Sequence, residues 1–471
     1  MKSLNSSLLA LGLGFSVACG GGSSSPSTDN NPPPPPPPST FSFKVYNEDD
    51  CGLQTPLSDV EFLIYDESPR TNPNTTYTSV TSNSEGIVEL DVPVGELMSF
   101  TINYTNEEGH ITSYSFVELA SNEYNMALTY QQTSTCECQF VDIDAQVDGS
   151  QYISEISNAI LQGGTNLKGG YQSINGNLVN FTYVELCNDD FSNQPVIASV
   201  ELSGYEDRIV YGLLNNPTSL TQTIFLNKAE MKVSKPDFGE NYDLGHSLIY
   251  NGQTYTLAPT AGPNDQYYAQ FSQESPESHQ FSFSSSIEGT YNGFESSDNE
   301  AVVGISKRRD VRQNSSDASS AGSLPTGTFL NVNHDPDTAT LNWSSDTSES
   351  FSLSLFYRSY RTSDQILIRS YLYSPTSSSI AVPKNKAEIE ESISGANLQL
   401  SYFLLLANED SLNSSQYLNA RRFGGQNGER SFINENSILS FIVPPLTSAT
   451  KGMTKTNNVQ NELKTDKNIY Q

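Results

Sequence analysis

Five cysteines carry the clearest chemistry in this sequence, because a thiol can be acylated, oxidised to a disulfide or bound to a metal. Four of them, Cys51, Cys136, Cys138 and Cys187, form an even set, which in an exported chain predicts two disulfides. Cys136 and Cys138 would lie about 7 Å apart on a strand, at the limit for pairing with each other. We therefore expect Cys51 to pair with one of them and Cys187 with the other. The alternative is a four-thiolate zinc site, which is weaker because the C-x-C pair stands alone and the compartment is oxidising.

The sequence predicts no enzyme and no catalytic residues. The four histidines lack metal-ligand spacing, and neither an H-E-x-x-H motif nor a P-loop occurs: His110, His246, His279 and His334. Ser203-Gly204-Tyr205 and Gly245-His246-Ser247 are too short for the G-x-S-x-G turn that presents a nucleophilic serine. A Ser/His/Asp site assembled in space is the alternative that remains, since such sites are defined by geometry.

Calcium is the one cofactor that the residue types suggest, because clustered oxygen donors in loops suit a hard cation. The candidate ligands are Asp49 and Asp50 in the stretch from 47 to 50, and Asp335 and Asp337 in the stretch from 333 to 337. Neither stretch has the spacing or the glycine of an EF-hand. The alternative is that both are plain acidic turns, in which case no cofactor is expected.

Aromatic residues suggest binding. The chain holds 25 tyrosines, 22 phenylalanines and a single tryptophan, and exposed rings can stack on sugars or hold peptides. The candidate ligand-binding residues are Tyr267, Tyr268, Trp343, Tyr357 and Tyr360. The alternative is that they only form strands, which favour tyrosine.

The excess of acidic residues makes some classes of binding partner unfavourable. Fifty-four acidic residues against 24 basic ones give a net charge of -30. Such a surface repels phosphate groups, so we expect no nucleic acid partner and no binding to anionic lipid through the protein surface. A protein or glycan ligand stays compatible with this charge.

The amino-terminal residues predict export. Lys2 precedes a short apolar run from Leu8 to Phe15, which is too short to span a bilayer and ends at Ser16-Val17-Ala18-Cys19. This end resembles a bacterial lipobox, although Ser16 stands where the family usually has leucine. The resemblance implies a signal peptide over 1–18, an acylated Cys19 as the membrane anchor and, because Gly20 follows and not aspartate, an outer-membrane location. An ordinary secretory signal is the alternative.

The segment 19–40 is predicted to be a disordered tether. Gly20 to Ser25 form a flexible coil, and the seven prolines from Pro32 to Pro38 form a polyproline II rod. At ~3.1 Å per residue the rod spans about 22 Å. We therefore expect the folded part of the chain to stand clear of the lipid headgroups.

From residue 41 onward, short alternating strands recur about every ten residues, which predicts an all-β chain of tandem β-sandwiches. Three segments of the first sandwich, 41–133, are similar to the carboxypeptidase-regulatory-like and transthyretin-like (Ig-like) family: Pro56 to Phe62, Thr81 to Gly86, and Val92 to Gly95. The resemblance implies a hairpin turn at Gly86 and a proline-glycine turn at Gly95. Some relatives form a lysine-to-asparagine isopeptide bond, for which Lys44 and Asn125 are the candidates. Lys44 alternates with Phe43 and Val45 and should point away from the core, so we do not expect the bond.

The remaining domains are predicted from composition and alternation. A second β-rich domain covers 134–305, with one short helix suggested by Ile153, Ile156 and Ile160. Residues 306–326, with Lys307-Arg308-Arg309, are predicted to be an exposed linker. A third β-rich domain over 327–446 vaguely resembles fibronectin type III around Trp343, and 447–471 is predicted to be a disordered tail.

These observations favour a membrane-anchored cell-envelope lipoprotein with a structural or docking role, in which the first sandwich is a spacer or docking module and the later ones present loops. The alternative is a carbohydrate-binding accessory lipoprotein for polysaccharide capture.

Overall fold

A computed structural model of the chain describes residues 41–49, 53–93, 95–131, 138–147, 156–162, 167–168, 170–187, 196–202, 208–214, 221–226, 228–229, 242–250, 253–256, 278–292, 300–314, 324–325, 329–335, 340–346, 350–408, 412–421 and 435–443. The chain divides into two units, Met1–Pro38 and Ser39–Gln471, and every described residue belongs to the second. Most described residues lie in strands, which confirms the all-β prediction. The predicted signal peptide, tether and tail, together with Cys19, lie outside the described residues.

The strands before residue 132 are β1 Phe41–Asp49, β2 Gln54–Pro56, β3 Glu61–Tyr65, β4 Tyr77–Thr81, β5 Ile87–Leu90, β6 Leu97–Thr105, β7 Ile111–Ala120 and β8 Glu123–Gln131. From there to residue 313 the strands are β9 Cys138–Val147, β10 Ile156–Gln162, β11 Leu167–Lys168, β12 Tyr171–Asn175, β13 Leu178–Cys187, β14 Val196–Leu202, β15 Arg208–Leu214, β16 Thr221–Leu226, β17 Lys228–Ala229, β18 Asp243–Tyr250, β19 Gln253–Thr256, β20 Ser278–Asn292 and β21 Glu300–Gln313. The last part contains β22 Phe329–Asp335, β23 Thr340–Ser345, β24 Leu353–Arg361, β25 Leu367–Pro375, β26 Ser379–Ala381, α1 Ala387–Ser394, β27 Asn397–Asn408, α2 Ser414–Arg421 and β28 Glu435–Val443.

The first sandwich packs two sheets around aromatic rings. One sheet pairs β1 with β2 and β5 along one edge and with β8 along the other, and the facing strands are β7-β6-β3-β4. Alternation places Phe41, Phe43 and Val45 of β1 inside, where they meet Phe62 and Phe100. The turn glycine Gly86 has φ of +74° as expected. It does not close a hairpin, however, because β4 pairs with β3 and β5 pairs with β1 in the other sheet.

The second sandwich has an aliphatic core. Strands β13, β9 and β16 lie side by side, with β11 and β12 on the free edge of β13, and the other sheet is β10-β14-β15-β17. The predicted short helix is wrong, because Ile156 and Ile160 lie in strand β10. A bulge between Ile156 and Asn158 lets Ile156 and Ala159 share the buried face. Such a bulge imitates the three-residue spacing of a helix.

A twelve-stranded sheet joins strands from all three predicted domains, in the order β19-β18-β20-β21-β28-β27-β24-β25-β7-β6-β3-β4. Its joint between the first and third domains is the parallel pair β7–β25. Across this joint the rings of Tyr114 and Tyr371 stack at 4.9 Å, and those of Phe116 and Tyr373 stack at 5.1 Å. The predicted boundaries therefore fall between segments that share one sheet.

The predicted linker begins inside a strand. Residues 306–313 belong to β21, which pairs with β20 and β28, and Arg309 and Asp310 are buried there. The three basic residues predict exposure, whereas the pairing of β21 with β28 joins residues more than 120 positions apart and cannot be predicted from local composition.

Two further features complete the fold. The three-stranded sheet β22-β23-β26 contributes Leu341 and Ile380 to a core shared with β24, β25 and β27. Helix α2 buries Tyr417 and Leu418 against the first sandwich. Within the described residues, no helix is long and apolar enough to cross a bilayer.

Candidate binding surface

Three exposed aromatic rings lie side by side on the outer face of the second sandwich. Tyr171 of β12, Tyr183 of β13 and Phe140 of β9 are 74, 65 and 58 % exposed. The ring centroids of Tyr171 and Tyr183 are 6.2 Å apart, and those of Tyr183 and Phe140 are 6.5 Å apart, both pairs meeting edge to face. We call these three side chains the aromatic face.

A β-bulge turns Tyr183 outward. Strand β13 pairs Phe181 with Ile143 and Val184 with Val141, so Thr182 and Tyr183 together stand opposite a single residue of β9, Asp142. Regular alternation would bury Tyr183 with Phe181, but the extra residue moves it to the outer face and buries Val184 in its place. The backbone of Tyr183 takes φ of +56°. That conformation disfavours a bulky L-residue by about 1–2 kcal/mol.

Carboxylate and amide groups border the rings. Asp142 Oδ1 accepts a hydrogen bond from the Tyr183 backbone N–H at 3.1 Å, which holds the bulge in place. Two residues further along β9, on the same face, Asp144 Oδ1 accepts a hydrogen bond from Asn180 Nδ2 at 2.6 Å. Glu185 stands opposite Phe140 in the register. The aromatic face is therefore bordered by three acidic residues, one of which, Glu185, has Lys168 of β11 opposite it in the register. Such a border suits hydroxyl or cationic groups.

Phe225 is a separate exposed ring on the same sheet. It lies on β16, is 55 % exposed and stands opposite Gln146 of β9. Gln146 comes six residues after Phe140 and four after Asp142, so at ~3.3 Å per residue Phe225 is displaced along the strands by about 20 Å from Phe140 and about 13 Å from Tyr183. It is a natural control for substitutions within that face.

Comparison with known proteins adds little. No protein-family model matches the chain, and no characterised protein matches it in sequence. Among the solved structures that are similar to this chain is the crystal structure of a tetra-tandem repeat in the extending region of a large adhesion protein. The similarity covers 79% of this chain and 95% of that chain at 10% identity, with a TM-score of 0.12. A score of that size supports no argument about fold or function.

The aromatic residues chosen from sequence do not form this surface. Tyr267 and Tyr268 lie outside the described residues. Tyr357 and Tyr360 are buried, so neither presents its ring to solvent as a ligand-binding residue must. Trp343 is half-buried, and its ring packs 5.7 Å from that of Phe403. Both tyrosines belong to β24, an interior strand of the large sheet that contributes side chains to a hydrophobic core on each face.

Each pair of candidate calcium ligands lies partly outside the described residues, so calcium binding stays a prediction. Asp49 ends β1 and Asp335 ends β22, whereas Asp50 and Asp337 lie outside the described residues. No group of three or more His, Cys, Asp or Glu side chains in the described part of the chain is placed to hold a metal ion. Of the histidines, His110 accepts a hydrogen bond at Nδ1 from the Leu367 N–H, and burial lowers the pKa of His279.

Two of the cysteines are neighbours in the second sandwich. Cys138 at the start of β9 stands directly opposite Cys187 at the end of β13. Opposed residues of antiparallel strands have Cα atoms about 4.5–5.5 Å apart, within the range that a disulfide spans. Cys51 and Cys136 lie outside the described residues, and the pairing scheme stays a prediction.

Lys44 and Asn125 stand opposite each other on the parallel strands β1 and β8. Their neighbours Phe43, Val45, Tyr124 and Met126 point into the core, so both residues lie on the other face of the sheet. This is the orientation for which no isopeptide bond was expected.

Sequence reasoning missed all three residues of the aromatic face, although one signal was available. Phe140 alternates with the buried Val141 and therefore shares a face with Asp142. An aromatic ring on the polar side of an alternating strand is informative, because that face is solvated. No comparable signal exists for Tyr183, since a bulge is not visible in the pattern of residue types.

Proposed function

We propose that this chain is a cell-envelope lipoprotein, anchored through an acylated Cys19, that docks a partner on the aromatic face of its second sandwich. The first sandwich is assigned in the same proposal to the carboxypeptidase-regulatory-like family, as a structural module. The observation that carries the docking role is the exposure of Tyr171, Tyr183 and Phe140 as one cluster.

The energetics support a binding role for these rings. Leaving a large apolar side chain in water forgoes about 1.5–3 kcal/mol per residue relative to burying it. The sandwich does not need these rings, because its core is filled by aliphatic residues such as Val141, Ile143 and Val184. Backbone strain at Tyr183 adds to the cost of presenting its ring, and strain of this kind concentrates at functional sites.

The sheet of the second sandwich is a rigid support for the three exposed rings. The rings lie on neighbouring strands of a hydrogen-bonded sheet, so their spacing is fixed before a partner arrives, which lowers the entropy lost on binding. No catalytic role is proposed, and neither is a resident cofactor.

The anchor is tested by Cys19→Ser. Metabolic labelling with a fatty-acid probe should mark the wild-type chain and leave the variant unmarked, and the variant should move from the membrane fraction to the soluble fraction. An unlabelled wild-type chain would contradict the anchor without bearing on the aromatic face.

Docking is tested by footprinting tyrosine and phenylalanine with hydroxyl radicals, on intact cells that carry the protein and on the purified full chain. We expect Tyr171, Tyr183 and Phe140 to be labelled several-fold less on cells, whereas Phe225 is labelled equally in both samples. Equal labelling of all four rings in the two samples would overturn the docking role.

A further inference from the structure

We propose that the aromatic face binds a polysaccharide whose sugars are neutral or positively charged. This inference rests on the proposed docking function and names the class of its partner.

The shape of the aromatic face fits a short stretch of sugar chain. Tyr183 lies between Tyr171 and Phe140, so the three rings form a row across β12, β13 and β9. The plane of Tyr183 is turned by 89° from that of Tyr171 and by 70° from that of Phe140. A pyranose ring has an apolar face of C–H groups, and successive sugars of a twisted chain turn that face in different directions. The exposed surface of the three side chains, 58–74 % of each, is open to such C–H groups.

The polar residues beside the rings can form the hydrogen bonds that sugar recognition also needs. A carboxylate offers about four lone-pair sites, and Asp142 and Asp144 each accept one hydrogen bond at Oδ1 from the protein. Thr223 of β16 stands opposite Asp144 and is exposed. Sugar hydroxyls that lie at the edge of a stacked ring would donate to these carboxylates, and charge-assisted hydrogen bonds of that kind are the stronger ones.

Charge decides which glycans fit. Asp142 and Asp144 border the rings, and the chain carries a net charge of -30. Glu185 stands opposite Phe140 on one side and Lys168 of β11 on the other, so the excess negative charge at the rings comes from the two aspartates. Uronic acids, sulfated sugars and phosphate-bearing polymers would be repelled. Neutral sugars and amino sugars remain.

The same border argues against a protein partner. Protein interfaces bury about 800 Å² on each side and are depleted of Asp and Glu at their centres. Here the three rings are a small patch, and Asp142 stands next to the central residue, Tyr183, from whose backbone N–H it accepts a hydrogen bond. A glycan, which needs a few rings and many acceptors, fits this arrangement better.

The test is affinity electrophoresis and calorimetry of the full chain with three probes: a soluble neutral β-glucan, chitosan oligosaccharides and alginate. We expect saturable binding of the neutral or the cationic probe and none of alginate. Chitosan binding counts only if it persists at 1 M salt, where the Debye length falls to about 3 Å and net charge is screened.

The variants locate the site. Tyr171→Ser with Tyr183→Asn should weaken binding at least tenfold, because asparagine tolerates the positive φ at 183 and removes only the ring. Phe225→Ser, a loss of an exposed ring on the same sheet, should leave affinity unchanged. Unchanged circular dichroism and melting of the double variant would show that it folds.

The outcomes separate this inference from the docking function. If the rings are protected on cells but no probe binds, and protease treatment of the cells removes the protection, the partner is a protein and the glycan inference is overturned while docking stands. If the probes bind the double variant as tightly as the wild type, the aromatic face is not the glycan site.

Discussion

The two amino-terminal sandwiches use aromatic residues in opposite ways. The first encloses Phe41, Phe43, Phe62, Phe100 and Phe116, whose ring centroids lie 5.2–6.2 Å from their neighbours. The core between the sheets of the second is packed with valine, isoleucine, leucine and alanine, with Phe181 as the one aromatic ring of its described residues; Tyr211 of β15 is buried outside this cluster, and Phe140, Tyr171 and Tyr183 are exposed. Aromatic content alone therefore says nothing about binding, whereas its placement relative to each core does.

The outer faces differ in the same sense. The strands β3, β6 and β7 of the first sandwich are covered by the chain's own residues 384–386: the Tyr65 hydroxyl donates to the Lys384 carbonyl at 2.9 Å, and Asn103 Nδ2 donates to Asn385 Oδ1 at 2.9 Å. The strands β9, β12 and β13 of the second sandwich present their rings to solvent. The covered face of the first sandwich contributes to the stability of the fold, whereas the exposed face of the second sandwich is available to a partner.

The largest expected difference between the two sandwiches comes from removing one ring in each. Phe100 is fully buried among four other rings, so Phe100→Ala should lower the free energy of unfolding by about 3–5 kcal/mol. Phe140 is exposed, so Phe140→Ala should change it by no more than about 0.5 kcal/mol. Calorimetry of both variants checks the pair. A large loss for Phe140→Ala would mean that the aromatic face is structural.

The second largest effect concerns the pair of cysteines opposite each other on β9 and β13. A disulfide between Cys138 and Cys187 would join β9 to β13 close to Phe140. Closing a loop of this length contributes about 2–4 kcal/mol to the free energy of unfolding. A non-reduced digest should yield a peptide that joins Cys138 to Cys187, with Cys51 joined to Cys136. Free thiols at both 138 and 187, or a bond from Cys138 to Cys51, would contradict this pairing.

The sequence predicts those features of the fold that depend on neighbouring residues, namely the strands, their buried faces and the turns. Alternation around Phe43 and Val141 predicts strands and their buried faces. The glycine in the turn at Gly86 predicts a positive φ, which the structure has. The joint between β7 and β25 depends on residues more than 250 positions apart, which no local pattern encodes. The bulge at Tyr183 reverses a single side chain, and the alternation of Val179 and Phe181 predicts the opposite face for it. Local alternation therefore places Phe140 on the outer face but not Tyr183.

A smaller effect isolates the strain at Tyr183. Tyr183→Ala and Tyr183→Gly both remove the ring, but only glycine adopts φ of +56° without penalty. The glycine variant should therefore be more stable than the alanine variant by about 1 kcal/mol. Both should lose glycan binding equally, since neither has a ring. An alanine variant at least as stable as the glycine variant would show that the bulge stores no strain.

The smallest expected effect lies on the covered face of the first sandwich and depends on pH. Lys386 Nζ lies 2.6 Å from Glu61 Oε1, which also accepts a hydrogen bond from Ser79 at 2.7 Å. Burial alone raises the pKa of Glu61, but the hydrogen bonds from Lys386 and Ser79 and the charge of Lys386 outweigh it, so the pKa falls below its ordinary value of 4.5. A carboxylate whose pKa is lower in the folded state stabilises the fold above its unfolded pKa, and this contribution disappears as the pH falls through the folded pKa.

Glu61→Gln should thus lower the stability at pH 7 by less than ~1 kcal/mol, because Lys386 is partly exposed and such pairs are weak. The difference from wild type should shrink below pH 4.5. Unfolding curves at pH 7 and in acid measure both values, and Lys386→Met should reproduce the same pH dependence from the other partner. Footprinting of the aromatic face in these variants should be unchanged, because that face belongs to the other sandwich. A stability difference as large in acid as at pH 7 would mean that Glu61 acts through its packing and not through its charge.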